Sequence, residues 1–192
     1  MRTIRVILKP STSEEDITAL AERHGWHFQE ALGPTEQQPY EKIWIAPDNY
    51  TSIHYIEDFL LRIRYIIVTK DRPDEVVAQI QSGLDVYSRD EILGLVETAD
   101  ELNQRILALH RVAGAAPQEF DQAIFDCLQR AMNDPEMAIR RAAIFATTYA
   151  HWPEFQESLE RLQDSDDDPS VRELARHVLE SQRRHNWGRD DR

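Results

Sequence analysis

The sequence predicts an α+β N-terminal domain followed by an all-α helical-repeat solenoid. Three observations carry this. Strand-like and helix-like patterns alternate up to Tyr87. Strand signals then stop, and everything from Ser88 onward reads as short amphipathic helices. Within that helical half, one segment echoes another 34 positions later.

The N-terminal elements follow from local chemistry. Arg2–Leu8 reads as a strand with Ile4, Val6 and Leu8 on one face. Pro10 and Ser11 break it. Ser13 suits an N-cap, and Glu14, Glu15 and Asp16 suit the positive end of a helix dipole. Ile17, Leu20, Ala21 and His24 share a helical stripe that Gly25 stops. Trp26–Leu32 is a second strand, followed by a polar loop from Gly33 to Pro39. Tyr40–Ala46 is rich in aromatic and β-branched residues, Pro47–Asn49 makes a turn, and Tyr50–Ile56 pairs back as a hairpin. Arg64–Thr69 is the most apolar strand and the candidate for the sheet centre. Asp71–Asp74 opens a helix with Val76, Val77, Ile80 and Leu84 on one face, interrupted by Gly83. The predicted unit packs its helices on one face of a mixed or antiparallel sheet.

In the second half Ser88 and Asp100 are candidate N-caps. Six apolar stripes follow. They are Ile92, Leu93 and Val96; Leu102, Ile106, Leu109 and Ala113; Phe120, Ile124, Cys127, Leu128 and Ala131; Ile139, Ala143, Ala146 and Ala150; Trp152, Phe155, Leu159 and Leu162; and Val171, Leu174, Ala175, Val178 and Leu179. Short links between them imply antiparallel neighbours. The expected domains are residues 1–87 and 88–192. The second divides into a degenerate hairpin (88–116), two repeats (117–150 and 151–184) and a polar tail (185–192).

The echo is Asp134-Pro135, a spacer, then Ile139-Arg140, against Asp168-Pro169, a spacer, then Val171-Arg172. Proline fits the first turn of a helix because no N–H is needed there. Aspartate can cap that helix, and the arginine can reach loop carbonyls or a neighbouring aspartate. On these residues, residues 117–184 resemble the HEAT-repeat family of armadillo-like α-solenoids. The resemblance implies stacked helical hairpins and a protein-binding scaffold. Relatives of that family include bilin lyase-like and DNA glycosylase-like proteins. Residues 1–87 resemble no family.

Charge narrows the partner. The formal net charge is −13. Residues 1–87 carry 9 basic and 14 acidic groups, and residues 88–192 carry 13 and 21. Nucleic acid and anionic lipid need neutralising cations, so neither is the expected partner. A DNA glycosylase-like role fails for the same reason. One cysteine rules out an internal disulfide and a Cys-rich zinc site. No apolar run approaches a membrane span, and no secretory leader is legible. The expectation is a cytoplasmic protein.

No catalytic constellation, cofactor or metal site is expected. There is no Gly-rich phosphate loop or nucleophile elbow. Asp164–Asp168 opens like a calcium loop, but its sixth position is Pro169 instead of Gly and its twelfth is Ala175 instead of Glu. His24 and His27 lack a third ligand, and Cys127 lies on an apolar stripe. The leading expectation is therefore a non-enzymatic protein-interaction module that uses an acidic helical-repeat surface to bind a basic partner. Arg141, Tyr149 and His151 are the candidate contact residues, while Trp152 reads as core. The alternative is an enzyme or small-ligand α+β domain, with His54, Glu57 and Asp58 as its candidate site. A bilin lyase-like assembly role is the weaker alternative.

Overall fold

The computed structural model describes residues 2–36, 38–70 and 73–187. Backbone contacts divide the chain into two compact units, Met1–Ile92 and Leu93–Arg192.

In the first unit five strands form one sheet: β1 (Arg2–Ile7), β2 (His27–Leu32), β3 (Tyr40–Ile45), β4 (Ser52–Asp58) and β5 (Ile63–Lys70). Their order is β1-β5-β4-β3-β2, and every pair is antiparallel. The mixed option is thereby removed. The sheet centre is β4, not β5. Hydropathy marks a strand as interior, and both are interior, but it does not set their order. β2 is a solvent-exposed edge, with a register shift between Phe28 and Glu30. Such an irregularity discourages a free edge from pairing with another chain.

Helices α1 (Glu14–Arg23) and α2 (Asp74–Gly83) cover one face of this sheet. Ile17, Leu20, Val76, Val77 and Ile80 pack there against Val6, Trp44, Ile53, Tyr55, Ile66 and Val68. α1 begins with a complete capping box. Ser13 accepts from the Asp16 amide, and the Asp16 carboxylate accepts from the Ser13 amide. The α1 helix ends at Gly25, whose φ of +67° favours glycine. Polar groups hold α1 to β3: Lys42 Nζ lies 2.9 Å from Glu14 Oε1, and the Tyr40 hydroxyl donates to the same oxygen at 3.1 Å. Gly83 is the other seam. A Cβ there would collide with the fully buried side chain of Leu20.

The rest of the chain is helical: α3 (Arg89–Thr98), α4 (Leu102–Ala115), α5 (Gln122–Ala131), α6 (Met137–Ala150), a short 3-10 turn (Pro153–Phe155), α7 (Gln156–Ser165) and α8 (Pro169–Trp187). The expected tail is divided: 185–187 continue α8, and 188–192 lie outside the described residues. Five stripes are largely buried as expected, but three details differ. Leu102 and Phe120 are exposed, and α4 buries the expected Leu109 and Ala113 together with Ala108 and Val112. In the first stripe only Ile92 is fully buried. Asp100 is not a cap, because α4 starts after Glu101 with no side-chain cap bond.

The expected HEAT-like solenoid is not what the chain forms. The structure is a five-stranded antiparallel sheet followed by helices, and no array of uniform stacked hairpins is present among the described residues. α5 packs with α6, and α7 with α8, but α3 and α4 do not close into a packed hairpin. α6 lies more extensively on α4 than on its own hairpin mate α5. Two helix pairs are fewer than the roughly three repeats a solenoid core needs. The sequence echo has a different physical origin, which is local loop chemistry.

Candidate functional site

That chemistry is built on arginines. Arg140, near the start of α6, is buried. Its Nε and Nη2 donate to the two carboxylate oxygens of Asp166, each at 2.8 Å. Nη2 also reaches Asp167 at 2.7 Å, and Nη1 donates to the Asp134 and Pro135 carbonyls at 2.9 and 3.0 Å. These five bonds match the five N–H donors of the planar fork, which a lysine could not reproduce. Burial alone would raise the Asp166 carboxyl, but the Arg140 guanidinium and the Asp168 amide outweigh it and hold it below the usual range.

Sequence reasoning paired Asp134 with Asp168. The geometry pairs Asp134 with Asp166. Arg172 donates to the Asp166 carbonyl as Arg140 does to the Asp134 carbonyl, six residues back in both cases. Each of these aspartates also accepts from the amide two residues on. Each is further met by an arginine from an earlier helix: Arg105 of α4 for Asp134, and Arg140 of α6 for Asp166. Asp166 was missed because the run Asp164–Asp168 offers several equivalent aspartates, and Arg105 because it lies 29 positions from Asp134 on another helix. Asp168 instead caps α8 by accepting from the amide and hydroxyl of Ser170. Pro169 is the first residue of α8, as its chemistry requires. Ile139 and Val171 are buried.

The three candidate contact residues differ in their engagement. Arg141 is half-buried, and its Nη1 donates to the Ser170 carbonyl at 2.8 Å, so it braces α6 against α8. Tyr149 is half-buried, with its ring 5.8 Å from that of Phe145, and the His110 ring meets Phe145 at 6.2 Å. Arg141, Phe145 and Tyr149 are spaced i, i+4, i+8 and form one stripe of α6. His151 is exposed, in the left-handed region (φ 53°), and closes α6 by donating to the Thr147 carbonyl. Trp152 is core, 3% exposed, against Phe120 and Phe155.

His54, Glu57 and Asp58 do not converge. Alternation along β4 puts His54 and Asp58 on one face and Glu57 on the other. His54 and Asp58 stand four residues apart, about 13 Å along a strand. Glu57 accepts from the Tyr55 hydroxyl at 2.6 Å. Burial first, then that carboxylate, push the Tyr55 phenol well above its ordinary range. Asp58 accepts from the Leu60 and Leu61 amides at 2.9 Å and so shapes the β4–β5 turn. Tyr65 donates to it at 3.5 Å. Burial, then the Asp58 charge, push the Tyr65 phenol up to about 12. The residue that does meet His54 is Glu41 of β3, with Nδ1 and Oε1 2.6 Å apart. Ile43 stands opposite His54 in the register, so Glu41 reaches it diagonally.

A second constellation was not legible in the sequence. A partly enclosed cavity of about 180 Å³ in the second unit is lined by Val96 and Glu97 of α3, Arg105 and Leu109 of α4, and Cys127, Arg130 and Ala131 of α5, with Asp134 and Ile139 closing it. Its floor is apolar and its rim is charged. The only cysteine is 3% exposed, and burial pushes its thiol up, against the opposing pull of Arg130. Four separate segments supply this lining, so no local spacing could announce it.

Among the described residues no group of three or more His, Cys, Asp or Glu side chains is placed to hold a metal ion. No helix among them is long and apolar enough to cross a membrane. No family model, no curated protein and no solved structure matches the chain.

Proposed function

We infer that the chain is a protein-interaction module whose acidic helical unit binds a basic surface on a partner protein. The observation that carries this reading is the direction in which four of the helical arginines point. Arg105, Arg140, Arg141 and Arg172 are drawn into loop aspartates and carbonyls within the unit. Arg176 is bound to Glu180 on its own helix. The exposed carboxylates are left in excess. Glu97, Asp100 and Glu101 stand together at the α3–α4 turn, and Glu119, Asp126, Glu136, Glu154 and Glu157 are also exposed. A surface of one sign steers an oppositely charged partner and makes association salt-sensitive.

The test is affinity capture with the full chain as bait, at low and at moderate salt, beside a Glu97→Gln/Asp100→Asn/Glu101→Gln variant. The reading predicts a protein retained at low salt, reduced at moderate salt, and reduced again by the variant. A partner held equally at both salts and by both baits would contradict it.

A further inference from the structure

The cavity bounded by α3, α4 and α5 goes beyond that reading. Two of its four rim charges cancel, because Arg105 is ion-paired to Asp134. The other two, Glu97 and Arg130, are exposed, and neither has an ion-pair partner among the described residues. They come from different helices and stand at the mouth of the same apolar hollow. Arg130 stands three residues after Cys127 on α5, and both line this hollow. Below the rim the lining is Val96, Leu109, Cys127, Ala131 and Ile139.

Volume and charge together select the occupant. An apolar cavity of about 150 Å³ admits a benzene-sized molecule, so this one holds a ligand of slightly more than that size. One carboxylate and one guanidinium at a single mouth match a ligand with one cationic and one anionic group close together. We propose that this cavity is a binding site for a free aliphatic α-amino acid. Its carboxylate is received by Arg130, its ammonium by Glu97, and its branched side chain by the floor of Val96, Leu109, Cys127 and Ile139. Arginine suits the first role because its fork donates two parallel hydrogen bonds to a carboxylate. A peptide end carries only one of the two charges, and a purely apolar ligand leaves both rim groups unanswered.

The test is calorimetric titration of the full chain with L-leucine, with 4-methylpentanoate (no ammonium) and with 3-methylbutylamine (no carboxylate). The site predicts saturable one-to-one leucine binding and at least about tenfold weaker binding of each truncated probe. Arg130→Gln is expected to weaken leucine and 4-methylpentanoate by about tenfold or more and to leave the amine unchanged. Glu97→Gln is expected to weaken leucine and the amine and to leave 4-methylpentanoate unchanged. Both positions are exposed, so the variants keep the fold. Leucine that fails to saturate by about 10 mM overturns the assignment. So does leucine binding that neither substitution alters, or a truncated probe that binds as tightly as leucine.

Discussion

Arg140 shows how much one side chain can hold. Its guanidinium joins three places in the chain: the Asp134–Pro135 loop, its own helix α6, and Asp166–Asp167 before α8. Asp166 has a side chain only 4% exposed, so removing its partner leaves a buried, uncompensated charge. Arg140→Ala is expected to cost about 3–5 kcal/mol of unfolding free energy. Arg140→Lys keeps the charge but not the fork, and falls between the two. Denaturant midpoints for the three proteins check this, and an Ala variant within about 0.5 kcal/mol of wild type would contradict it. The role of Arg140 was legible, because Asp-Pro followed by Arg occurs twice. Its partner was not, since aspartates at 164, 166, 167 and 168 are indistinguishable without geometry. Glu97 and Arg130 were illegible for a related reason. They lie 33 positions apart, on helices whose relative placement no spacing encodes.

At the scale of elements, capping chemistry read best. Ser13 and Ser88 both close capping boxes, the second with Glu91. Gly25 and Pro169 also fall where their backbone chemistry requires. Stripe phase read less well in α4. There Leu109 and Ala113 are buried as expected, but Ala108 and Gly114 complete the buried face, and such small groups carry little hydropathy. Glu91 gives a pH test. The Ser88 amide, then Lys9, then the Ser88 hydroxyl pull its carboxyl down to about 2 from an ordinary 4.5. A depressed carboxylate binds protons more readily in the unfolded chain. Its contribution is therefore full above about pH 4.5 and is lost as pH falls toward about 2. Thermal midpoints of wild type and Glu91→Gln are expected to differ most above pH 5 and to converge toward pH 2. A gap that stays constant across that range would contradict the assignment.

On the scale of the whole molecule, the division into an α+β part and a helical part was legible, because strand-like patterns stop after Tyr87 and only helical ones follow. The solenoid was not a sound extension. Two similar loops reveal a shared turn, and a turn does not set how many helix pairs stack. Charge works at this scale too. Composition gives the excess of acid, but only geometry shows that arginines such as Arg105, Arg140 and Arg172 face inward.

The central claim is that a basic partner docks on the acidic helical unit. Carbodiimide cross-linking of the captured complex joins carboxylates to lysines that touch them, and mass spectrometry locates the joined residues. Cross-links from carboxylates in residues 93–187, Glu97, Asp100 and Glu101 foremost, are the predicted result. Cross-links confined to residues 2–92 would contradict the claim.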